Sequence, residues 1–140
     1  MTREVLVRKL TFLRQLLRDL ARFEDATMAE VRAQHYTLER LFELLVATAS
    51  DIVFHLLAER GVAPQSYREA FRLAAVHGLL PADLAEQMQD AAAMRNVIVH
   101  MYQEIDYTIL HASIRPALRD FGVLVALLEK RLDEADAGRA

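Results

Sequence analysis

From Met28 to Arg60 the chain carries neither glycine nor proline. Within that stretch Leu38, Leu41, Phe42, Leu45, Ile52 and Leu56 recur at three- and four-residue steps, the spacing of one buried helix face. A segment with that period and no breaker predicts a single long helix over about 28–60. Gly61 stands where a C-terminal cap is expected. Any fold must be built around such a rod, which favours helices packed on helices.

The rest of the chain reads the same way. Val5, Leu6, Leu10, Leu13, Leu16, Leu17 and Leu20 predict a first helix over about 3–23, and "EDATMAE" makes the turn after it. Pro64 blocks continuation of the long helix. "SYRE" then forms a capping box for a short third helix that stops at Gly78. Pro81 suits the first turn of a fourth helix, carried on by Leu84, Met88, Ala91, Ala92 and Met94. A fifth begins near Asp106, a good N-cap, with a kink or local break expected at Pro116 and a frayed tail from about 134. No segment alternates with period two, and there are no internal repeats. The expectation is an all-α protein, one domain over residues 1–140, an up-and-down bundle of four to five helices.

Several function classes fall away on composition. No cysteine is present, which removes disulfides, thiolate metal sites and a cysteine nucleophile. No His-Glu-x-x-His or paired Glu-x-x-His pattern supports zinc or di-iron, and no glycine-rich loop could cradle a nucleotide's phosphates. No metal and no cofactor is therefore expected. The start lacks the uninterrupted apolar core of a secretory signal, and no apolar run reaches the ~18 residues that cross a bilayer. A cytoplasmic protein without membrane contact is the expectation. The formal net charge of −3 gives no global attraction for nucleic acid. Residues 1–22 are nevertheless basic, with Arg3, Arg8, Lys9, Arg14, Arg18 and Arg22 against Glu4 and Asp19. A solvated helix face is the simplest account of that excess.

The informative stretch is "MRNVIVHMYQEID". Val97, Ile98, Val99 and Met101 would fill a buried helix face. Arg95, Asn96, His100 and Tyr102 interrupt it, and each needs a partner or a role if buried. Asn96 and His100 lie one turn apart, whereas Arg95 and His100 diverge by about 140° on an ideal helix. One regular helix cannot aim both at one small target. Either the helix ends between them or a second copy of the chain completes the site.

"RNVIVHMY" has the form Arg-x4-His-x-Tyr and resembles the Arg-x4–6-His signature of HEPN domains, with asparagine directly after the arginine. The longer run "PQSYREAFRLAAVHGLLPADLAEQMQDAAAMRNVIVHMYQEID" is similar to the HepT branch in its order of capped short helix, glycine turn, motif helix and Tyr-x-x-Ile-Asp. The resemblance covers essentially the whole chain. Met101 stands where HepT proteins frequently carry an acidic residue, a difference that bears on partner recognition.

The resemblance implies the toxin half of a toxin–antitoxin pair: a homodimeric, metal-independent endoribonuclease acting on tRNA or mRNA. It further implies a partner, an MNT-type nucleotidyltransferase antitoxin, that neutralises the toxin by transferring AMP to Tyr102. The residue types suit that chemistry. RNA carries its own nucleophile, the 2′-OH. His100 can exchange its proton, because imidazole titrates near neutrality, and Arg95 can stabilise charge on the phosphorane. Asn96 can orient the imidazole or contact phosphate, and Tyr102 offers a hydroxyl for substrate and for modification. Asp51, on the second helix, is a weaker candidate for the same cleft. The competing class is a non-catalytic helical module that binds nucleotide or protein beside a nucleotidyltransferase. The remaining histidines read as ordinary packed or solvated residues, and His35–Glu39, Asp51–His55 and His55–Glu59 as helix-stabilising pairs one turn apart.

Overall fold

The computed structural model describes residues 2–100 and 106–138, with the side chains of residues 99 and 100 outside the described set. Six helices account for nearly all of it: α1 (Arg3–Ala21), α2 (Met28–Ala33), α3 (His35–Ala58), α4 (Tyr67–Val76), α5 (Ala82–His100) and α6 (Tyr107–Ala137).

Local chemistry sets most of the boundaries. Side-chain oxygens of Thr2, Thr27, Ser66 and Asp106 each accept a backbone N–H in the first turn of α1, α2, α4 and α6. The Ser66 oxygen takes the Glu69 N–H at 3.0 Å, as the "SYRE" spacing predicts. α3 and α4 both end in a left-handed glycine. Val62 N–H bonds to the Leu57 carbonyl around Gly61 (φ 73°), and Leu79 N–H to the Ala74 carbonyl around Gly78 (φ 69°). That is the paired capping geometry an L side chain would strain.

One expectation needs correction and one alternative is settled. The helix predicted over 28–60 is broken at Gln34 (φ −113°, ψ 20°), so the bundle has six helices rather than four or five. The cause is tertiary: α2 packs on α6, while α3 runs on between α1, α4 and α5. The break or kink expected at Pro116 is not a break, since α6 is continuous through it. Pro116 removes the N–H that would reach the Ala112 carbonyl, but Ala112 is exposed and water can take its place. α6 also carries on into the stretch expected to fray, where Asp136 accepts two bonds from Arg3, at 2.6 and 2.7 Å. That hydrogen bond, and then the nearby negative charge, raises the Arg3 pKa above its ordinary value.

The core lies where α1, α3, α4, α5 and the middle of α6 meet. Leu10, Leu13, Leu20, Leu38, Leu45, Ile52, Phe71, Met88, Ile114 and Phe121 are fully enclosed. α3 is long and apolar enough to cross a bilayer by composition, but just over half of its apolar window is buried inside the bundle, which gives that hydropathy a packing role. The basic face of α1 makes ion pairs as well. Arg3, Lys9 and Arg14 pair with Asp136, Asp51 and Glu129 of α6 and α3, and Arg8 pairs with Glu4.

Candidate active site

The motif residues come at the end of α5, where cover by neighbouring helices runs out. Leu84, Ala85, Met88 and Ala92 bury the first part of that helix. From Met94 onward no described residue of α5 is buried. Val97, expected in the core, is 53% exposed and Asn96 is exposed beside it, whereas Ile98 packs on the core edge. The apolar letters "VIV" are therefore not one buried stripe.

Arg95 is held from two sides. Its guanidinium carbon stands 5.0 Å from the centre of the Tyr67 ring, within cation–π range. Its Nη1 donates to the Asn96 side-chain oxygen at 3.3 Å. The buried Nε has no hydrogen-bond partner among the described residues. No carboxylate among the described residues pairs with this arginine. A buried donor left open is expensive to maintain unless a water or a ligand fills it. The group is thus a cation with fixed orientation and a spare N–H, the form suited to gripping an oxyanion. Asn96 fixes the arginine in this structure.

α5 is helical through His100, so the helix does not end between Arg95 and His100. The side chain of His100, and Tyr102 altogether, lie outside the described residues.

Tyr67 is the residue that sequence reasoning missed. Ser66 caps α4, so Tyr67 is its first helical residue, and α4 packs on α5, which carries the ring to Arg95. The Phe54 ring on α3 meets Tyr67 edge-on at 6.1 Å. The capping box was readable; a contact between residues 28 positions apart was not. Asp51 sits one turn before Phe54 on α3 and is engaged by Lys9 rather than by His55. It lines the same groove as Tyr67 without touching Arg95.

The other histidines have local duties. His35 pairs with Glu39, and the Nε2 of His111 lies 2.8 Å from the Ala26 carbonyl. His77 caps α4, its carbonyl accepting from Arg60 at 2.9 Å. Among the described residues no group of three or more His, Asp or Glu comes together in a way that could hold a metal ion.

The family model described as "Ribonuclease HepT-like" matches residues 8–127. A tRNA nuclease HepT from Aphanizomenon flos-aquae is 28% identical over 129 residues, 89% of this chain and 87% of that one. An mRNA nuclease HepT from Shewanella oneidensis is 29% identical over 80 residues, 56% of this chain and 60% of that protein. The fold superposes, with a TM-score of 0.82 and 19% identity, on the structure of a tri-AMPylated Shewanella oneidensis HEPN toxin in complex with an MNT antitoxin, covering 93% of this chain and 99% of that one. A second toxin–antitoxin structure, with AMP-PNP, superposes at 0.81 with 18% identity, over 91% of this chain and 98% of that one.

Proposed function

The chain belongs to the HepT-like ribonuclease family, and on that footing we propose that it is the toxin of a toxin–antitoxin pair, a metal-independent endoribonuclease that works in the cytoplasm as a homodimer. The observation that carries the reading is Arg95: ring-stacked, unpaired with any carboxylate among the described residues, and holding an open buried Nε on a helix that continues through His100.

RNA cleavage needs little more. The 2′-OH attacks the adjacent phosphorus as His100 takes its proton, and the 5′-oxygen leaves with a proton donated by water, giving a 2′,3′-cyclic phosphate and a 5′-hydroxyl. Arg95 neutralises charge on the phosphorane between those states. Because the two side chains diverge on one helix, Arg95 of one protomer works beside His100 of its partner. Asn96 supports the guanidinium. The substrate class is tRNA or mRNA, the targets named for the two related nucleases. Neutralisation is AMP transfer to Tyr102 by an MNT-type nucleotidyltransferase, in keeping with the AMPylated toxin complex that shares the fold. A phosphodiester there adds bulk and negative charge beside the RNA path.

The test uses purified full-length protein and RNA in EDTA, with His100→Ala and Arg95→Ala alongside. Wild type should cleave and both variants should lose about 10²- to 10³-fold in rate while remaining folded. Incubation with the nucleotidyltransferase and ATP should then add ~329 Da per AMP at Tyr102 and stop cleavage. Equal cleavage by wild type and both variants would remove the assignment. RNA binding without any cleavage would instead favour a non-catalytic module.

A further inference from the structure

Beside the Arg95–Tyr67 stack runs an open groove of about 560 Å³ between α1, α3 and the start of α4. Arg8, Lys9, Phe12, Asp51, Phe54 and Tyr67 are among its walls. Its composition is unusual for a surface cleft. Phe12 is 43% exposed, and Phe54 and Tyr67 are only half-buried, so three aromatic rings border one space. Two cations line the same groove. Among the described residues Arg8 pairs with Glu4, and the two side chains are 74% and 76% exposed. Such a pair is worth little in water, and Arg8 is free to turn to another anion. Lys9 is engaged by Asp51, whose side chain is 55% exposed.

Aromatic rings beside cations are what a single strand of RNA binds: bases stack on the rings and phosphates meet the cations. The groove is also continuous with the candidate site, because the Tyr67 ring belongs to both: it stacks on Arg95 and lines the groove. We propose that this groove is a subsite for the RNA strand flanking the scissile phosphate. A base stacks on Phe12 and its neighbours, and a phosphate displaces Asp51 from Lys9. Asp51 is then neither an acid nor a base in the reaction. It is a competitor that holds Lys9 until RNA arrives and so sets how tightly the strand is gripped. The inference rests on the nuclease reading for its substrate, but not on the cleavage step.

The proposal makes substitutions of opposite sign, which misfolding cannot imitate. Full-length protein carrying His100→Ala, so that the probe stays intact, is titrated into a fluorescein-labelled single-stranded RNA oligonucleotide at several salt concentrations. Lys9→Gln should weaken binding about tenfold and lower the salt slope by about 0.7. Phe12→Ala should weaken it about tenfold as well, with the slope unchanged. Asp51→Asn should tighten binding several-fold. With His100 intact, Lys9→Gln and Phe12→Ala should raise KM and leave kcat alone. Affinities that do not move would overturn the subsite. So would variants that lose the nucleotidyltransferase but keep RNA, which would mark the groove as a protein-docking surface. Cleavage by wild type with unmoved affinities sinks this inference and spares the nuclease reading. Groove-dependent binding with no cleavage does the reverse.

Discussion

Helix α3 and the last two turns of α5 look alike in sequence and are opposites in the bundle. Both mix β-branched residues with scattered polar ones, as in "SDIVF" and "RNVIV". Along one face of α3 the apolar letters vanish from solvent: Leu45, Ala49, Ile52 and Leu57 are at 0% exposure. At the end of α5 Asn96 and Val97 face outward, and Arg95 keeps an unsatisfied Nε. The difference is made by neighbours, because α3 is surrounded by α1, α4, α5 and α6 whereas α5 outruns its cover. Hydropathy alone could not tell the two apart.

The sharpest way to break this contrast is to truncate each segment in turn. Leu45→Ala empties a fully enclosed site on α3 and should cost about 2–5 kcal/mol of stability, read as a fall in the urea midpoint. Its activity, measured where the protein is still folded, should be close to wild type. Arg95→Ala should do the opposite, with the midpoint nearly unmoved and the rate lost. A Leu45 variant as stable as wild type, or an Arg95 variant that unfolds, would erase the distinction.

Val97→Asp probes the exposed side of the same contrast. At a solvated monomer surface such a change is worth within about 0.5 kcal/mol. At a homodimer contact, a buried unpaired carboxylate would separate the protomers. Sedimentation should therefore show monomer with normal helix content, and cleavage should disappear although Arg95 and His100 are both present. A dimeric, active Val97→Asp would place the two-copy site elsewhere.

How much of this was legible beforehand follows the same division. Boundaries governed by neighbouring residues were readable: the Ser66 and Asp106 caps, the Gly61 and Gly78 stops, and the α3 stripe from Leu38 to Ile52 all stand as expected. Features imposed from a distance were not. Nothing within a few residues of Gln34 forces a break there; the docking of α2 on α6 does. Val97 reads as core because its neighbours are apolar, and only the absence of a covering helix turns it outward. Of the candidate site, residue types and spacing pointed to Arg95, and the 140° argument raised a helix end before His100, which a continuous α5 rules out. The stack on Tyr67 could not be foreseen, since periodicity says which face a residue takes and not what it meets.

That stack carries the smallest effect and the finest test. If Tyr67 merely fills space, replacing it should alter stability and little else. If it aims the guanidinium, Tyr67→Leu removes a cation–π contact worth about 1 kcal/mol and should lower kcat about fivefold. Tyr67→Phe keeps the ring face and should restore most of the rate. The decisive measurement is the double variant. In an Arg95→Ala background no guanidinium remains to be aimed, so Tyr67→Leu should lower the residual kcat no further, whereas any loss of packing would still appear in the urea midpoint. Equal fractional losses of kcat with and without Arg95 would mean that the ring supports the fold rather than the cation, and the stacked geometry would have no part in catalysis.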